Sequence, residues 1–76
     1  MNLPKPNMAV FSVSGRRVGL VRQVREACFE VSREARDGGP ICLLNESLFT
    51  ADETDGVTLV CSKEEVQRYC CPEHLR

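Results

Sequence analysis

The feature that most constrains this chain is a stripe of apolar residues in its first half. Its members recur at alternating steps of three and four, and they are Val21, Val24, Cys28, Val31 and Ala35. This spacing places them along one face of an α-helix. The pattern predicts a long amphipathic helix from about Arg17 or Val18 to Asp37, ended by the Gly-Gly-Pro sequence of residues 38–40.

Three other segments predict strands, because they are apolar and bounded by turn residues. They are Met8–Val13, Pro40–Leu44 and Gly56–Cys61. Whether the second strand continues through residues 48–50 is left open. Ser62 and Glu65 have the spacing of a capping box, which predicts a short helix that ends at residues 71–72. The predicted fold is α+β: a small β-α-β-β-α two-layer sandwich, in which a three-stranded sheet carries helices on one face.

The predicted organisation is a flexible lead-in over residues 1–7, a single domain over residues 8–71 and a tail over residues 72–76. A 76-residue domain has a small core, and such a core supplies only about 3–5 kcal/mol of net stability. Pairing with a second copy would stabilise it.

The apolar runs are far shorter than the roughly 18 residues that span a bilayer. The sequence therefore predicts a cytoplasmic protein without a membrane partner, with its five cysteines reduced.

The first candidate site is the turn that precedes the predicted helix, formed by Ser14, Gly15, Arg16 and Arg17. Free backbone N–H groups at a helix start and two guanidinium groups favour an anion, such as a carboxylate or a phosphate. The alternative interpretation is that Gly15 merely permits the turn and the arginines are solvated.

The second candidate is a flank of the predicted helix. At about 100° per residue, five side chains fall within an arc of roughly 80° beside the apolar stripe. They are Arg22, Arg25, Phe29, Arg33 and Arg36. An exposed Phe among four Arg side chains favours contact with a protein partner or stacking on nucleic-acid bases. The interleaved Glu26 and Glu30 would repel phosphate, so nucleic acid is the weaker hypothesis. A solvated helix face, or Phe29 covered by a loop, is the alternative.

The third candidate is the C-terminal group of Cys70, Cys71 and His74, with Cys61 earlier in the chain. Structural zinc requires four nitrogen or sulfur ligands, whereas adjacent cysteines point to different sides of a helix and the chain has one His. The sequence therefore predicts no metal and no cofactor. It also contains no pattern typical of a Ser-His-Asp or Cys-His catalytic group, so we expect no enzyme.

The stretch Phe11–Cys28 resembles the opening of an ACT domain, which has a strand, a Gly-containing turn and a helix that begins with Gly-Leu or Gly-Val. The matching positions are Val10–Val13, Gly15, Gly19, Leu20, Val21 and Val24. The segment from Gly56 to Tyr69 is similar to that family's third strand and second helix. The resemblance implies β-α-β-β-α-β order, although the final strand has no counterpart here. It also implies side-by-side pairing and an amino acid or other small ligand in the loop Ser14–Val18.

Together these patterns favour a non-enzymatic protein-interaction or regulatory module. Its partner would be another protein or a second copy, as a homodimer, and the contact would use a sheet edge or the flank around Phe29. One alternative is an ACT-like domain that senses a small anionic ligand through Ser14–Arg17. The other is nucleic-acid binding through the basic flank.

Overall fold

A computed structural model describes residues 3–71 and shows one mixed sheet of six strands in that range. The strands are β1 (Ala9–Phe11), β2 (Arg17–Val24), β3 (Cys28–Ser32), β4 (Ile41–Leu44), β5 (Leu48–Asp52) and β6 (Gly56–Leu59). Short 3-10 helices cover Ala35–Asp37, Asn45–Ser47 and Lys63–Tyr69. No helical segment of this range has the length and the apolar character that crossing a bilayer requires. The predicted tail and the first two lead-in residues lie outside the described residues.

The prediction of a three-stranded α+β sandwich is wrong, because the long helix does not form. Its residues make an antiparallel hairpin of β2 and β3, followed by the 3-10 helix Ala35–Asp37. The hairpin turns at residues 25–27, where the Arg25 N–H donates to the Cys28 carbonyl oxygen at 2.8 Å. The turn has no residue with positive φ, so ordinary side chains form it and the sequence carries no Gly, Asn or Pro there.

Two bulges in β2 account for the helix-like spacing of its valines. The pairing skips Val18 opposite β1 and Arg22 opposite β3. Each extra residue shifts the alternation of side chains by one position. Val18 and Val21 are therefore both buried, three residues apart, and Val24 packs against the same core after three more. The hydrophobic face of a doubly bulged strand thus has the spacing of a helix.

The order of strands across the sheet is β4-β3-β2-β1-β6-β5. Strands β1 to β4 form an antiparallel meander, and β5 and β6 form a separate antiparallel hairpin. The two parts meet where β1 runs parallel to β6, with Val10 opposite Val57. Consequently β4 and β5 are the two edges of the sheet.

One hydrophobic core lies against this sheet and draws residues from all six strands. It also includes Val66 of the last 3-10 helix, which covers part of the core. The buried members are Val10, Val18, Val21, Phe29, Val31, Ile41, Leu43, Ala51, Val57, Leu59, Cys61 and Val66. Phe29 is the largest fully buried side chain among them.

The remaining local predictions agree better with the structure. The three predicted strand segments contain β1, β4 and β6, while residues 48–52 form a separate strand after a 3-10 turn. The Gly-Gly-Pro sequence ends a helical turn as expected, but a short one: Gly38 has φ 110° and its N–H donates to the Ala35 carbonyl oxygen at 3.0 Å. The short helix after Ser62 is present, as a 3-10 helix with the predicted capping box.

The capping box makes the stability of the domain sensitive to acid. The Glu65 carboxylate accepts hydrogen bonds from the Ser62 N–H at 3.1 Å and from the Ser62 hydroxyl at 2.9 Å. These bonds hold the pKa of Glu65 below its ordinary value of 4.5. Because the pKa of Glu65 is lower in the folded chain than in the unfolded chain, the stabilisation is fully present above pH 4.5. It is lost as the pH falls through the pKa of the folded state.

We therefore expect Glu65→Gln to lower the melting temperature near neutral pH, and the difference from wild type to shrink as pH falls from about 5 to about 3. Thermal melts across this range measure the difference. Glu46→Gln, which changes an exposed carboxylate outside the capping box, is the matched control. A difference for Glu65→Gln that does not vary with pH would contradict the assignment.

Candidate functional site

The most distinctive group of side chains is a cluster of three thiols, formed by Cys28, Cys42 and Cys71. Their Sγ atoms all lie within 4.8 Å of one another. The Cys42 thiol donates to the Cys28 sulfur at 3.1 Å, and all five cysteines of the chain are free. Cys28 is buried, while the other two are partly exposed. We call this group the thiol cluster.

Strand alternation and register bring the three thiols together. Phe29 and Leu43 point into the core, so their neighbours Cys28 and Cys42 extend from the opposite face of the sheet. The chain after the last 3-10 helix then lies along the edge of β4, where Cys70 pairs with Leu43. The Cys71 N–H donates to the Cys42 carbonyl oxygen at 2.7 Å. The three cysteines thus come from three neighbouring, hydrogen-bonded segments.

A surface groove of about 450 Å³ gives solvent access to the cluster through Cys42 and Cys71. Arg25, Arg33 and Glu30 also line this groove. The two guanidinium groups therefore share the groove with the thiols, and they would offset negative charge that developed on sulfur.

Burial raises the pKa of Cys42 to about 12, and the neighbouring Cys28 thiol contributes to the rise. Burial, followed by the influence of Cys28, also raises the pKa of Cys71. Without a bound ion these two thiols are protonated at neutral pH. The thiolate is the nucleophilic form of cysteine, so the raised pKa values disfavour Cys42 and Cys71 as nucleophiles.

The predicted anion site at Ser14–Arg17 lies in the turn after β1 and at the first residue of β2, not at a helix start. Within the hairpin, the Gly15 N–H donates to the Ser12 carbonyl oxygen at 2.9 Å and the Arg16 N–H donates to the Ser12 hydroxyl at 3.1 Å. Arg16 pairs with Glu64 at 3.1 Å, and Arg17 donates to the Gly19 carbonyl oxygen at 3.2 Å. The helix dipole is therefore absent from this turn, although binding of an anion there stays a prediction.

The predicted helix flank of Arg22, Arg25, Phe29, Arg33 and Arg36 does not form. Phe29 has no exposed surface and belongs to the core, so a partner cannot contact its ring without opening the sheet. The arginines are dispersed: Arg22 is in a bulge, Arg25 in a hairpin turn and Arg36 in a 3-10 helix. Contact of these four arginines with a partner stays a prediction.

The structure brings arginines of the predicted anion site and of the predicted helix flank into one groove. A second surface groove, of about 510 Å³, is lined by Arg17, Arg33 and Arg36, together with Lys63. Glu34 and Asp37 line the same groove, and Asp37 pairs with Lys63 at 3.5 Å. Because the acids offset part of the basic charge, this groove is less favourable for an anion than its arginines alone suggest.

The β5 edge differs from the β4 edge in what covers it. Residues 70–71 lie along β4, whereas within residues 3–71 β5 pairs with β6 and with no other strand. Phe49 is 65% exposed and Thr50 is also exposed. A bulge interrupts pairing to β6 between Leu48 and Thr50, and pairing is regular from Thr50 to Asp52. Among the common protections against edge-to-edge pairing, the strand has a bulge and the charged Asp52 but no Lys, Arg or Pro.

Sequence reasoning missed the thiol cluster because it assigned Cys28 to the helix stripe and Cys42 to a buried strand. The predicted C-terminal group also separates: Cys70 is exposed, and Cys61 belongs to the core. His74 lies outside the described residues. A hairpin prediction over residues 17–32 would have placed Cys28 on a strand, but its position near Cys42 also depends on the pairing of β3 with β4.

No protein-family model, curated protein or solved structure matches this chain, so the resemblance to an ACT domain receives no support from relatives.

Proposed function

We propose that this chain is a non-enzymatic interaction module that pairs with a second copy of itself by strand addition at β5. The observation that carries the proposal is the uncovered β5 edge with its exposed Phe49. An unpaired edge presents a row of backbone N–H and C=O groups that another strand can satisfy. Affinity then comes mainly from main-chain hydrogen bonds and needs no special side chains, which is consistent with a sequence that lacks a catalytic pattern.

The sequence of β5 suits antiparallel pairing with an identical strand. A two-fold axis at Thr50 places this residue opposite its counterpart in the second copy, with the regular stretches Thr50–Asp52 of the two strands on opposite sides of the axis. Opposed Thr side chains form favourable cross-strand pairs, whereas like charges placed directly opposite destabilise a sheet. In this register the two carboxylates lie at opposite ends of the new pair.

Pairing would also offset the modest stability of so small a domain. Phe49 is 65% exposed in the single chain, and burying an aromatic side chain contributes about 1.5–3 kcal/mol. The two copies are related by symmetry, so whatever part of Phe49 becomes covered contributes twice, and complete burial is the upper limit. The net charge of −1 leaves little overall repulsion between copies.

The test is the concentration dependence of sedimentation for wild type and Thr50→Lys. This substitution places two positive charges opposite each other at the axis, so we expect dimerisation to weaken at least tenfold, or about 1.4 kcal/mol. Val13→Lys adds the same charge at a residue that is 58% exposed and outside β5, so it is the matched control and should dimerise like wild type.

Wild-type protein that remains monomeric at millimolar concentration would refute the proposal. So would a Val13→Lys protein that loses the dimer as completely as Thr50→Lys, because the effect would then come from charge and not from the edge.

A further inference from the structure

We propose that Cys28, Cys42 and Cys71 form a binding site for a thiophilic metal ion, of which zinc is the representative. A tetrahedral zinc site with bonds of about 2.3 Å places its sulfur ligands about 3.8 Å apart. The three Sγ atoms already lie within 4.8 Å of one another. The site therefore needs only small side-chain movements to close around an ion.

The backbone holds the three ligands in place before an ion arrives. Cys28 and Cys42 lie on adjacent paired strands, where Glu30 is opposite Cys42 and Leu44 is opposite Cys28. Cys71 is tied to Cys42 by a backbone hydrogen bond of 2.7 Å. Ligands held in position by the fold lose less freedom when they bind an ion.

Charge and access are also compatible with this site. Each thiol that coordinates the ion releases one proton to solvent, so three thiolates and Zn²⁺ carry a net charge of −1. Arg25, Arg33 and Glu30 line the same groove, and the two guanidinium groups outnumber the one carboxylate, so they offset this charge. The groove of about 450 Å³ is an entry path and has room for a water molecule as a fourth ligand.

The chemical preference follows from the ligands. Thiolates favour zinc and monovalent copper over magnesium or calcium, which prefer oxygen. Magnesium is therefore a negative control for the same titration. The competing chemistry is oxidation of the Cys28 and Cys42 thiols, whose sulfur atoms are 3.1 Å apart. Molecular oxygen would take two electrons and two protons from them, and the resulting disulfide would remove two of the three ligands.

The experiment is a titration of the reduced, chelator-treated full chain with Zn²⁺ in competition with a chromophoric chelator. We expect one ion per chain, a higher melting temperature, and protection of three of the five thiols from alkylation. Cobalt in place of zinc should produce thiolate-to-metal charge-transfer absorption. Magnesium should have none of these effects.

The matched variants are two neighbouring cysteines. Cys71→Ser removes a partly exposed ligand that is not part of the core. We expect it to weaken zinc binding at least about 100-fold, because losing a direct ligand costs at least as much as changing a residue that only supports one. Cys70→Ser changes an exposed thiol outside the cluster and should bind zinc like wild type.

Several results would overturn the site. They are a wild-type chain that binds no zinc, equal losses for Cys70→Ser and Cys71→Ser, and one ion shared by two chains. Oxidation of the reduced chain by molecular oxygen to a Cys28–Cys42 disulfide, as fast with zinc as without it, would do so too. The site lies near β4, and β5 is the other edge strand of the sheet. The result of the zinc titration is therefore independent of the proposed dimer.

Discussion

Phe29→Ala is expected to unfold the domain or to leave it with only marginal stability. The side chain is completely buried in the core, and truncation of a buried Phe costs about 3–5 kcal/mol. This cost is comparable to the whole net stability of about 3–5 kcal/mol expected for a domain of this size. Circular dichroism during thermal or urea denaturation measures the loss.

Phe49→Ala is the matched control, because it makes the same change at a residue that is 65% exposed. At a protein concentration low enough to keep the chain monomeric, we expect its free energy of unfolding to change by no more than about 0.5 kcal/mol. If Phe29→Ala melted like Phe49→Ala, then Phe29 would not be a core residue, and the hypothesis of an exposed binding flank would return.

Gly19→Ala is expected to have the second large effect, through a purely steric mechanism. Gly19 lies in β2, and an added Cβ would overlap the Ser32 carbonyl oxygen and lie 3.0 Å from Cγ1 of Val31. These atoms belong to β3, so the two strands must move apart and lose hydrogen bonds. We expect a loss of at least about 3 kcal/mol in the free energy of unfolding, at the upper end for overpacked sites.

Gly15→Ala separates this clash from backbone strain. Gly15 has φ +88° but nothing within 4 Å of the added Cβ, so its cost is the left-handed conformation alone, about 1–2 kcal/mol. Urea denaturation of both variants compares the two costs. A Gly19→Ala protein that is more stable than Gly15→Ala would show that β2 and β3 do not pair in this register.

The sequence predicted short, continuous apolar segments correctly and failed where bulges alter the period. β1, β4 and β6 are uninterrupted and bounded by turn residues, so their alternation and length were informative. In β2 the extra residues Val18 and Arg22 change the spacing of buried side chains from two to three. The turn at residues 25–27 lacks Gly and Pro, so the hairpin had no local marker and the helix prediction continued through it.

The candidate sites depended on that error. Phe29 was predicted to be exposed because a helix placed it beside the arginines, whereas in β3 it alternates with Cys28 and Glu30 and points into the core. The thiol cluster was not predictable from spacing in the chain, because Cys28 and Cys42 become neighbours only through the register of β3 and β4. The capping box was predictable, since Ser62 and Glu65 interact locally.

The parallel pairing of β1 with β6 has a consequence for the order of folding. Val10 pairs with Val57, 47 positions later in the chain, so the two strands meet only after a long loop has closed at a cost in entropy. During synthesis the β1–β4 meander can form on the ribosome while β1 still lacks its second neighbour. We expect this last docking event to limit the folding rate, as non-local contacts do in other small domains, and to expose β1 to the nascent chains of nearby ribosomes until it occurs.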